Sequence, residues 1–172
     1  MTTSTLTLND VDIAAVGALA NAITTDPTKA HTTWSASVSW DGGFHTTTSI
    51  RDFAPIATDE PEALGGGDTA PNPVEQLLGA LGSCLAIGYA ANATAAGIRI
   101  DDLRIDVGGD LNLKSFLGLE PGHAGYDTLR ATVHIESDAD DEAIAKLHDT
   151  VVKTSPVGHT LARAIPLTVD LK

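Results

Sequence analysis

The chain of 172 residues contains one cysteine, Cys84, and a cysteine thiolate is a strong nucleophile near neutral pH. Such a thiolate can attack the O–O bond of a peroxide or an acyl carbon. The neighbours Ala80, Leu81, Ile87 and Gly88 are small or apolar, and a lone cysteine among such residues is more often a packed apolar side chain. The residues alone leave a reactive and a purely structural Cys84 both open.

Ser155 and His159 lie four residues apart, so a helical turn there would place both side chains on one face. His159 could then approach Cys84 and favour its thiolate, an arrangement that suits a hydrolase or an acyl-transfer site. Ser155 could donate a hydrogen bond to the thiolate or to a peroxide oxygen. A serine before proline is also an ordinary helix-ending residue, and an exposed His159 is the common alternative.

Glu75 is a further candidate, because a carboxylate near a thiol can orient a cationic partner. Its position three residues after Asn72, with Pro73 between them, also matches a capping box at the start of a helix. Capping is therefore the main role that we predict for Glu75.

The formal net charge of −13 predicts that the chain binds neither nucleic acid nor an anionic membrane surface. One cysteine cannot form an intramolecular disulfide, and no Cys/His spacing is typical of a metal site, so we expect no metal, no cofactor and a cytoplasmic protein.

The N-terminus lacks the pattern of a signal peptide. Residues 77–98 carry no charge, but their Gly, Ala and Ser content favours a buried helix of a soluble protein over a membrane span.

Hydrophobic periodicity indicates the elements that position these residues. A helix capped by Asn9 is expected from Asp10 to about Thr24, and a β-hairpin from Thr32 to Arg51 that turns at Asp41-Gly42-Gly43. Residues 54–73 are rich in Pro, Gly and acids and predict a connection rather than a strand. The uncharged helix then runs from Pro73 to a stop at Gly97.

The second half predicts strands around 103–107 and 129–135, separated by an apolar excursion over 111–127 that would line a pocket or an interface. A helix follows from Ser137 or Asp138 to just before Pro156, and Leu167, Val169 and Leu171 predict a closing strand. The order after the N-terminal helix is ββ–α–ββ–α–β, an α+β arrangement in two layers. We expect one domain over 1–172, with a helical extension over 1–30 and a core over 32–171.

Three stretches resemble the OsmC/Ohr superfamily of thiol-dependent hydroperoxide-reducing proteins. They are APNPVEQLLGALGSCLAIGYAANATAAGI, IDDLRIDVGGDL and KTSPVGHTLARAIPLTVDL, which are similar to its cysteine helix, the following strand and its C-terminal motif. The resemblance implies an α+β fold in which antiparallel sheets pack on a long central helix and a second helix. It also implies an intertwined homodimer with sites at the subunit interface.

The resemblance implies that the Cys84 thiolate attacks an organic hydroperoxide and becomes a sulfenic acid. Ser155 stands where the family has the second cysteine, which forms a disulfide that an external dithiol reduces. The family also uses a hairpin Arg, for which Arg51 is the nearest candidate, and a Glu ten residues before the cysteine, whereas Glu75 lies nine before it. We therefore predict a one-cysteine hydroperoxide reductase that uses an external thiol or dithiol.

Two alternatives remain open at this stage. The first is a protein of the same fold that binds a small apolar or acyl ligand and has no peroxidase activity, with Cys84 only filling space. The second is the Cys84/His159 hydrolase.

Overall fold

The computed structural model describes residues 7–171, and the chain divides into two compact units. The hairpin unit comprises residues 15–77. The cysteine unit comprises residues 7–14 and 78–171. The predicted partition into an extension over 1–30 and a core over 32–171 stays a prediction.

An antiparallel three-stranded sheet dominates the hairpin unit, with strand order β1-β2-β3. The strands are β1 (Ser37–Gly42), β2 (His45–Ser49) and β3 (Ile56–Thr58). The predicted hairpin is confirmed, although its turn falls at Gly43-Phe44 and Asp41-Gly42 still belong to β1. The prediction of no strand within 54–73 is wrong, because three residues are too few to display an alternating pattern.

The loop after β3 is organised by Asp59, which is 1% exposed. Its carboxylate accepts hydrogen bonds from the backbone N–H groups of Glu60 at 2.8 Å and of Gly67 and Thr69 at 3.1 Å each, and from the Thr69 hydroxyl at 2.8 Å. Burial alone would raise the pKa of Asp59, but the hydrogen bonds from Thr69, Glu60 and Gly67 outweigh it and lower the pKa to about 2. Gly66 is required in this loop, since an added Cβ would lie 1.8 Å from the Glu60 carbonyl oxygen.

Helix α2 (Pro73–Ala96) begins and ends as predicted. Asn72 Oδ1 accepts from the Glu75 N–H, Glu75 Oε2 accepts from the Asn72 N–H, and both distances are 2.9 Å. Gly97 follows the helix with a φ of +73°, a conformation that glycine adopts without strain. The capping box and the glycine stop are therefore confirmed.

One face of α2 forms the core of the cysteine unit. Its buried residues recur every four positions, at Leu81, Leu85, Tyr89 and Ala93. The opposite face is open, and the Ile87 side chain is 70% exposed. Within the described residues, α2 is the one helix long and apolar enough to cross a membrane, a test that core helices of soluble proteins also pass.

The buried face of α2 packs against two partners. The first is the antiparallel pair β4 (Asp102–Leu111) and β5 (Tyr126–Glu136), which places Ile105 opposite Val133. The second is helix α4 (Asp141–Thr154), whose Leu147 and Val151 are buried in the same cluster. The short helices α3 (Leu113–Phe116) and α5 (Pro156–Leu161) complete the unit. This mixed arrangement of antiparallel sheets and helices agrees with the predicted α+β class.

Tyr89 ties α2 to α4 through a hydrogen bond between its hydroxyl and His148 Nδ1. The tyrosine ring is almost fully buried, and this burial raises the pKa of Tyr89. The pair therefore satisfies a buried hydroxyl and fixes the spacing of the two helices.

Asn9 does not cap the first helix. Helix α1 starts only at Ile13 and runs to Thr25. Asn9 lies in a short 3₁₀ turn with a φ of +53°, and its side chain reaches the segment after α2 instead. Its Nδ2 donates to the Ile98 carbonyl at 2.9 Å, and its Oδ1 accepts from the Ile100 N–H at 2.9 Å. These distant hydrogen bonds prevail over the local preference for capping.

The predicted closing strand is wrong for the single chain. Leu167, Val169 and Leu171 lie in a C-terminal segment without regular secondary structure, which pairs with no strand among the described residues, and Leu167 is 85% exposed. The apolar excursion is exposed as well, at Phe116, Leu117 and Leu119. A strand needs a neighbouring strand to form hydrogen bonds with its backbone N–H and C=O groups. An alternating apolar pattern in the sequence does not show whether such a neighbour exists.

Replacing Asp59 with Asn should lower the thermal stability of the protein at neutral pH. A folded-state pKa of about 2 lies below the ordinary value of about 3.9, so the ionised carboxylate contributes stability above about pH 4 that is lost as the pH falls towards 2. Thermal unfolding of both proteins across this range should show midpoints that converge below about pH 4. Asp52→Asn, at an exposed carboxylate, is the control, and a gap that stays constant with pH would contradict the assignment.

Candidate thiol site

Cys84 meets Ser155 at the edge of the core of the cysteine unit. The Cys84 Sγ lies 3.3 Å from the Ser155 Oγ, within hydrogen-bond distance for sulfur. Cys84 is half-buried on the flank of α2, whereas Ser155 is 5% exposed at the junction of α4 and α5. The structure therefore joins two of the five predicted site residues.

The position of Ser155 follows from the proline after it. Pro156 cannot extend α4, and it forces the preceding residue into an extended conformation, here φ −70° and ψ 111°. Ser155 thus ends α4 and caps α5, with its Oγ accepting from the Gly158 N–H at 3.1 Å. The cap fixes the hydroxyl oxygen beside the sulfur.

The Ser155 hydroxyl group can act as a hydrogen-bond donor to the sulfur. Ser155 Oγ accepts from the Gly158 N–H, its own hydrogen remains available for Cys84 Sγ, and either atom of the Cys84–Ser155 contact can be the donor. A hydrogen bond donated to a charged acceptor is stronger than one between neutral groups. Ser155 can therefore stabilise negative charge on the sulfur, or on an oxygen that approaches it.

Gly158 is a site residue that the sequence reasoning missed. An added Cβ would lie 3.0 Å from Ser155 Oγ and 3.2 Å from Ser155 Cβ, so a side chain there would disturb the cap. The signal was present in the sequence, because a capping serine accepts from the third residue of its helix. For Leu81, the sequence alone indicates only an apolar neighbour of Cys84.

A cavity of about 330 Å³ lies near this pair, and neither Cys84 nor Ser155 is among its lining residues. Leu81, one turn before Cys84, and Gly158, which contacts Ser155, both belong to its walls. The other lining residues are Tyr126, Asp127, Thr128, Leu129, Leu161 and Ala162. A cavity of about 420 Å³ lies along the other flank of α2, beside Ile105 and Val107, and Cys84 is not among its lining residues.

His159 does not join the pair. Its Nε2 lies 2.8 Å from the Lys153 carbonyl oxygen, so this nitrogen donates to the last turn of α4. The ring is exposed, and within residues 7–171 no hydrogen bond links it to Cys84. The predicted Cys84/His159 dyad is therefore absent from this arrangement, because α5 turns the imidazole back towards α4.

Glu75 and Arg51 have other partners within the hairpin unit. Glu75 forms the capping box described above. The Arg51 guanidinium lies 4.5 Å from the centroid of the Phe53 ring, and Arg51 itself has a positive φ of 49°. A role for either residue beside the thiol stays a prediction. Over residues 7–171, no group of three or more His, Cys, Asp or Glu side chains could hold a metal ion.

The sequence model of the family described as OsmC-like protein matches residues 65–170. The chain belongs to the OsmC-like protein family. The match includes Cys84, Ser155 and the cavity near them, while α1 and the whole three-stranded sheet precede it. Among curated proteins, none matches this OsmC-like chain.

Solved structures share the fold of this OsmC-like protein. An OsmC-like protein from Mycoplasma pneumoniae has a TM-score of 0.66 and 22% identity over 76% of this chain and 88% of its own. An organic hydroperoxide resistance protein OsmC from Legionella pneumophila has a TM-score of 0.59 and 16% identity, over 76% of this chain and 91% of its own. The organic hydroperoxide resistance protein OhrB of Bacillus subtilis has a TM-score of 0.50 and 19% identity, over 73% of this chain and 89% of its own. At these identities the likeness establishes the fold.

Ser155→Ala should slow the alkylation of Cys84 by iodoacetamide near neutral pH about tenfold, because the thiolate loses a hydrogen-bond donor. Ser155→Thr, which keeps the hydroxyl, should restore most of the rate, and His159→Ala should leave it unchanged. The rates are measured by mass spectrometry over a range of pH, since a purely structural effect would not shift the pH profile. Equal profiles for Ser155→Ala and the unmodified protein would disprove the electrostatic role.

Proposed function

We propose that this OsmC-like protein reduces organic hydroperoxides with Cys84 as its one reacting thiol and an external thiol as reductant. The observation that carries the proposal is the contact of 3.3 Å between Cys84 Sγ and Ser155 Oγ, whose hydroxyl group can donate a hydrogen bond to the sulfur. Relatives of the same fold include proteins named for organic hydroperoxide resistance. The half-buried position of the sulfur is compatible with contact to a small substrate.

In the first step the Cys84 thiolate attacks the terminal oxygen of a hydroperoxide, ROOH. An S–O bond forms, the O–O bond breaks, and the alkoxide leaves as the alcohol ROH after taking a proton. Sulfur loses two electrons and the peroxide gains them, which leaves Cys84 as a sulfenic acid. Ser155 stabilises the thiolate before attack and can donate to an oxygen during it.

In the second step an external thiol must regenerate Cys84, because Ser155 offers no sulfur for a disulfide. One external thiol attacks the sulfenic acid, water leaves, and a mixed disulfide forms. A second thiol then releases the oxidised external disulfide and returns the Cys84 thiol. This cycle requires a thiol-rich compartment, which supports a cytoplasmic location.

The cavity of about 330 Å³ beside the pair suits the organic part of the substrate. Leu129 and Leu161 offer apolar contacts, whereas hydrogen peroxide has no apolar group to use them. We therefore propose that bulky organic hydroperoxides react faster than hydrogen peroxide.

The protein should form one dimedone adduct, on Cys84, when one equivalent of cumene hydroperoxide is added to the reduced chain with the trap present. Peptide mass spectrometry locates the adduct. Cys84→Ser should give none, and hydrogen peroxide should give it more slowly. With dithiothreitol in place of the trap, catalytic turnover should appear and should be lost in Cys84→Ser.

Ser155→Cys is a matched variant, since it adds a second sulfur at the position of the hydroxyl. Its oxidation should yield an intramolecular disulfide in place of the dimedone adduct. If Cys84 of the unmodified protein stays unlabelled while the hydroperoxide persists, the proposed activity is wrong, and ligand binding without peroxidase chemistry becomes the better hypothesis.

We further propose that two copies of the chain form the functional unit, an intertwined homodimer. The supporting observation is apolar surface that the single chain leaves uncovered, on the outer face of α2 around Ile87 and along the C-terminal segment around Leu167 and Val169. Contiguous exposed apolar surface is typical of interaction sites in soluble proteins. In the proposed dimer a second copy covers α2 and provides a neighbour for the C-terminal segment.

Ile87→Glu should convert the dimer to a monomer or an aggregate, because a charge would be buried without a partner. Sedimentation velocity measures the change in mass. Val152→Glu introduces the same charge at an exposed position of α4 and should remain dimeric. A monomeric unmodified protein, or a dimer unaffected by Ile87→Glu, would refute the proposed interface.

A further inference from the structure

A third cavity, of about 430 Å³, lies in the cysteine unit between the end of α2 and helix α4. It is lined by Asn92, Ala95, Ala96, Ile98, Ala143, Lys146, Leu147 and Thr150. It shares no lining residue with the cavity near Cys84 and Ser155. Any ligand there would be bound independently of the thiol chemistry.

The lining residues divide into an apolar floor and a polar rim. Leu147 is buried in the core and Ile98 packs against it, so these side chains form a fixed apolar base. The alanines are too small to fill the space above this base. The volume falls within the range of about 300–1,000 Å³ that is typical of small-molecule sites.

Lys146 gives the rim an unusual charge. The chain has 23 acidic residues against 10 basic ones, and most described cations have a carboxylate or an aromatic ring as partner. Within residues 7–171, Lys146 and Arg163 are the cations with no such partner. A lysine without an ion pair beside an apolar floor is complementary to an anion that carries an apolar body.

Two neighbours of Lys146 fix the polarity of the rim. Thr150 Oγ1 donates to the Lys146 carbonyl at 2.9 Å, which commits its hydrogen to the helix. Asn92 Nδ2 donates one of its two hydrogens to the Gly88 carbonyl at 2.8 Å, and the second hydrogen remains available as a donor. The donors that remain for a ligand are the Lys146 ammonium and this amide hydrogen.

We propose that this cavity binds a small amphipathic monocarboxylate, with the alkyl chain on the apolar floor and the carboxylate at Lys146. A single cation matches a single negative charge, whereas the overall charge of −13 disfavours a dianion such as a phosphate ester. The inference goes beyond the proposed peroxidase activity and does not depend on it.

The test uses sodium octanoate as the probe and the full chain labelled with ¹⁵N. Titration should shift the backbone amide signals of Ala95, Ala96 and Ile98 in a saturable manner, and 1-octanol should bind at least about tenfold more weakly because it lacks the charge. Lys146→Met, which keeps the apolar stem, should weaken octanoate binding about tenfold. Lys153→Met, on the same helix but paired with Asp149, should leave it unchanged.

Two further variants separate this site from the thiol site. Cys84→Ser should bind octanoate as the unmodified protein does, whatever its peroxidase activity. Ala95→Phe, at an exposed position on the rim, should fill the cavity and abolish binding without unfolding the protein. The absence of saturable shifts at millimolar octanoate, shifts centred on other residues, or equal affinities for the Lys146→Met and Lys153→Met variants would overturn the proposal.

Discussion

The cysteine unit depends on one packing constraint, the burial of a residue at every fourth position of α2. Leu81, Leu85, Tyr89 and Ala93 all face β4, β5 and α4, so the rotation of the helix about its axis is fixed. Cys84 lies next to this stripe and therefore emerges at the rim of the core, beside the end of α4. A helix rotated by one residue would bury the sulfur or expose it fully, and in both cases it would lose Ser155.

Local chemistry decides which elements can be predicted from the sequence. The Asn72 and Glu75 cap, the stop at Gly97 and the first hairpin each depend on residues within a few positions of one another, and each forms as expected. Asn9 and His159 fail for a different reason. Asn9 finds partners almost ninety residues away, and His159 is held by Lys153, so tertiary and end-of-helix hydrogen bonds outweigh their local preferences.

In the candidate site, too, some features depend on nearby residues and could be predicted, whereas others depend on the folded structure. The approach of Ser155 to Cys84 could be anticipated because a proline fixes the serine at a helix junction, and family likeness aligns the two positions. The hydrogen bond from the Gly158 N–H, which holds the Ser155 oxygen in place, depends on a conformation that only the folded turn displays. Serine at position 155 keeps a hydrogen-bonding group beside Cys84 but offers no second sulfur.

The C-terminal segment around Leu167 and Val169 has a consequence for the folding kinetics. Its backbone groups and apolar side chains find no neighbour in the described part of the same chain. If another copy satisfies them, the last stage of folding is a bimolecular reaction, with a rate that rises with protein concentration and an unfolding midpoint that does the same. Dilution alone would then act as a denaturant for this chain, in contrast to a self-sufficient monomer.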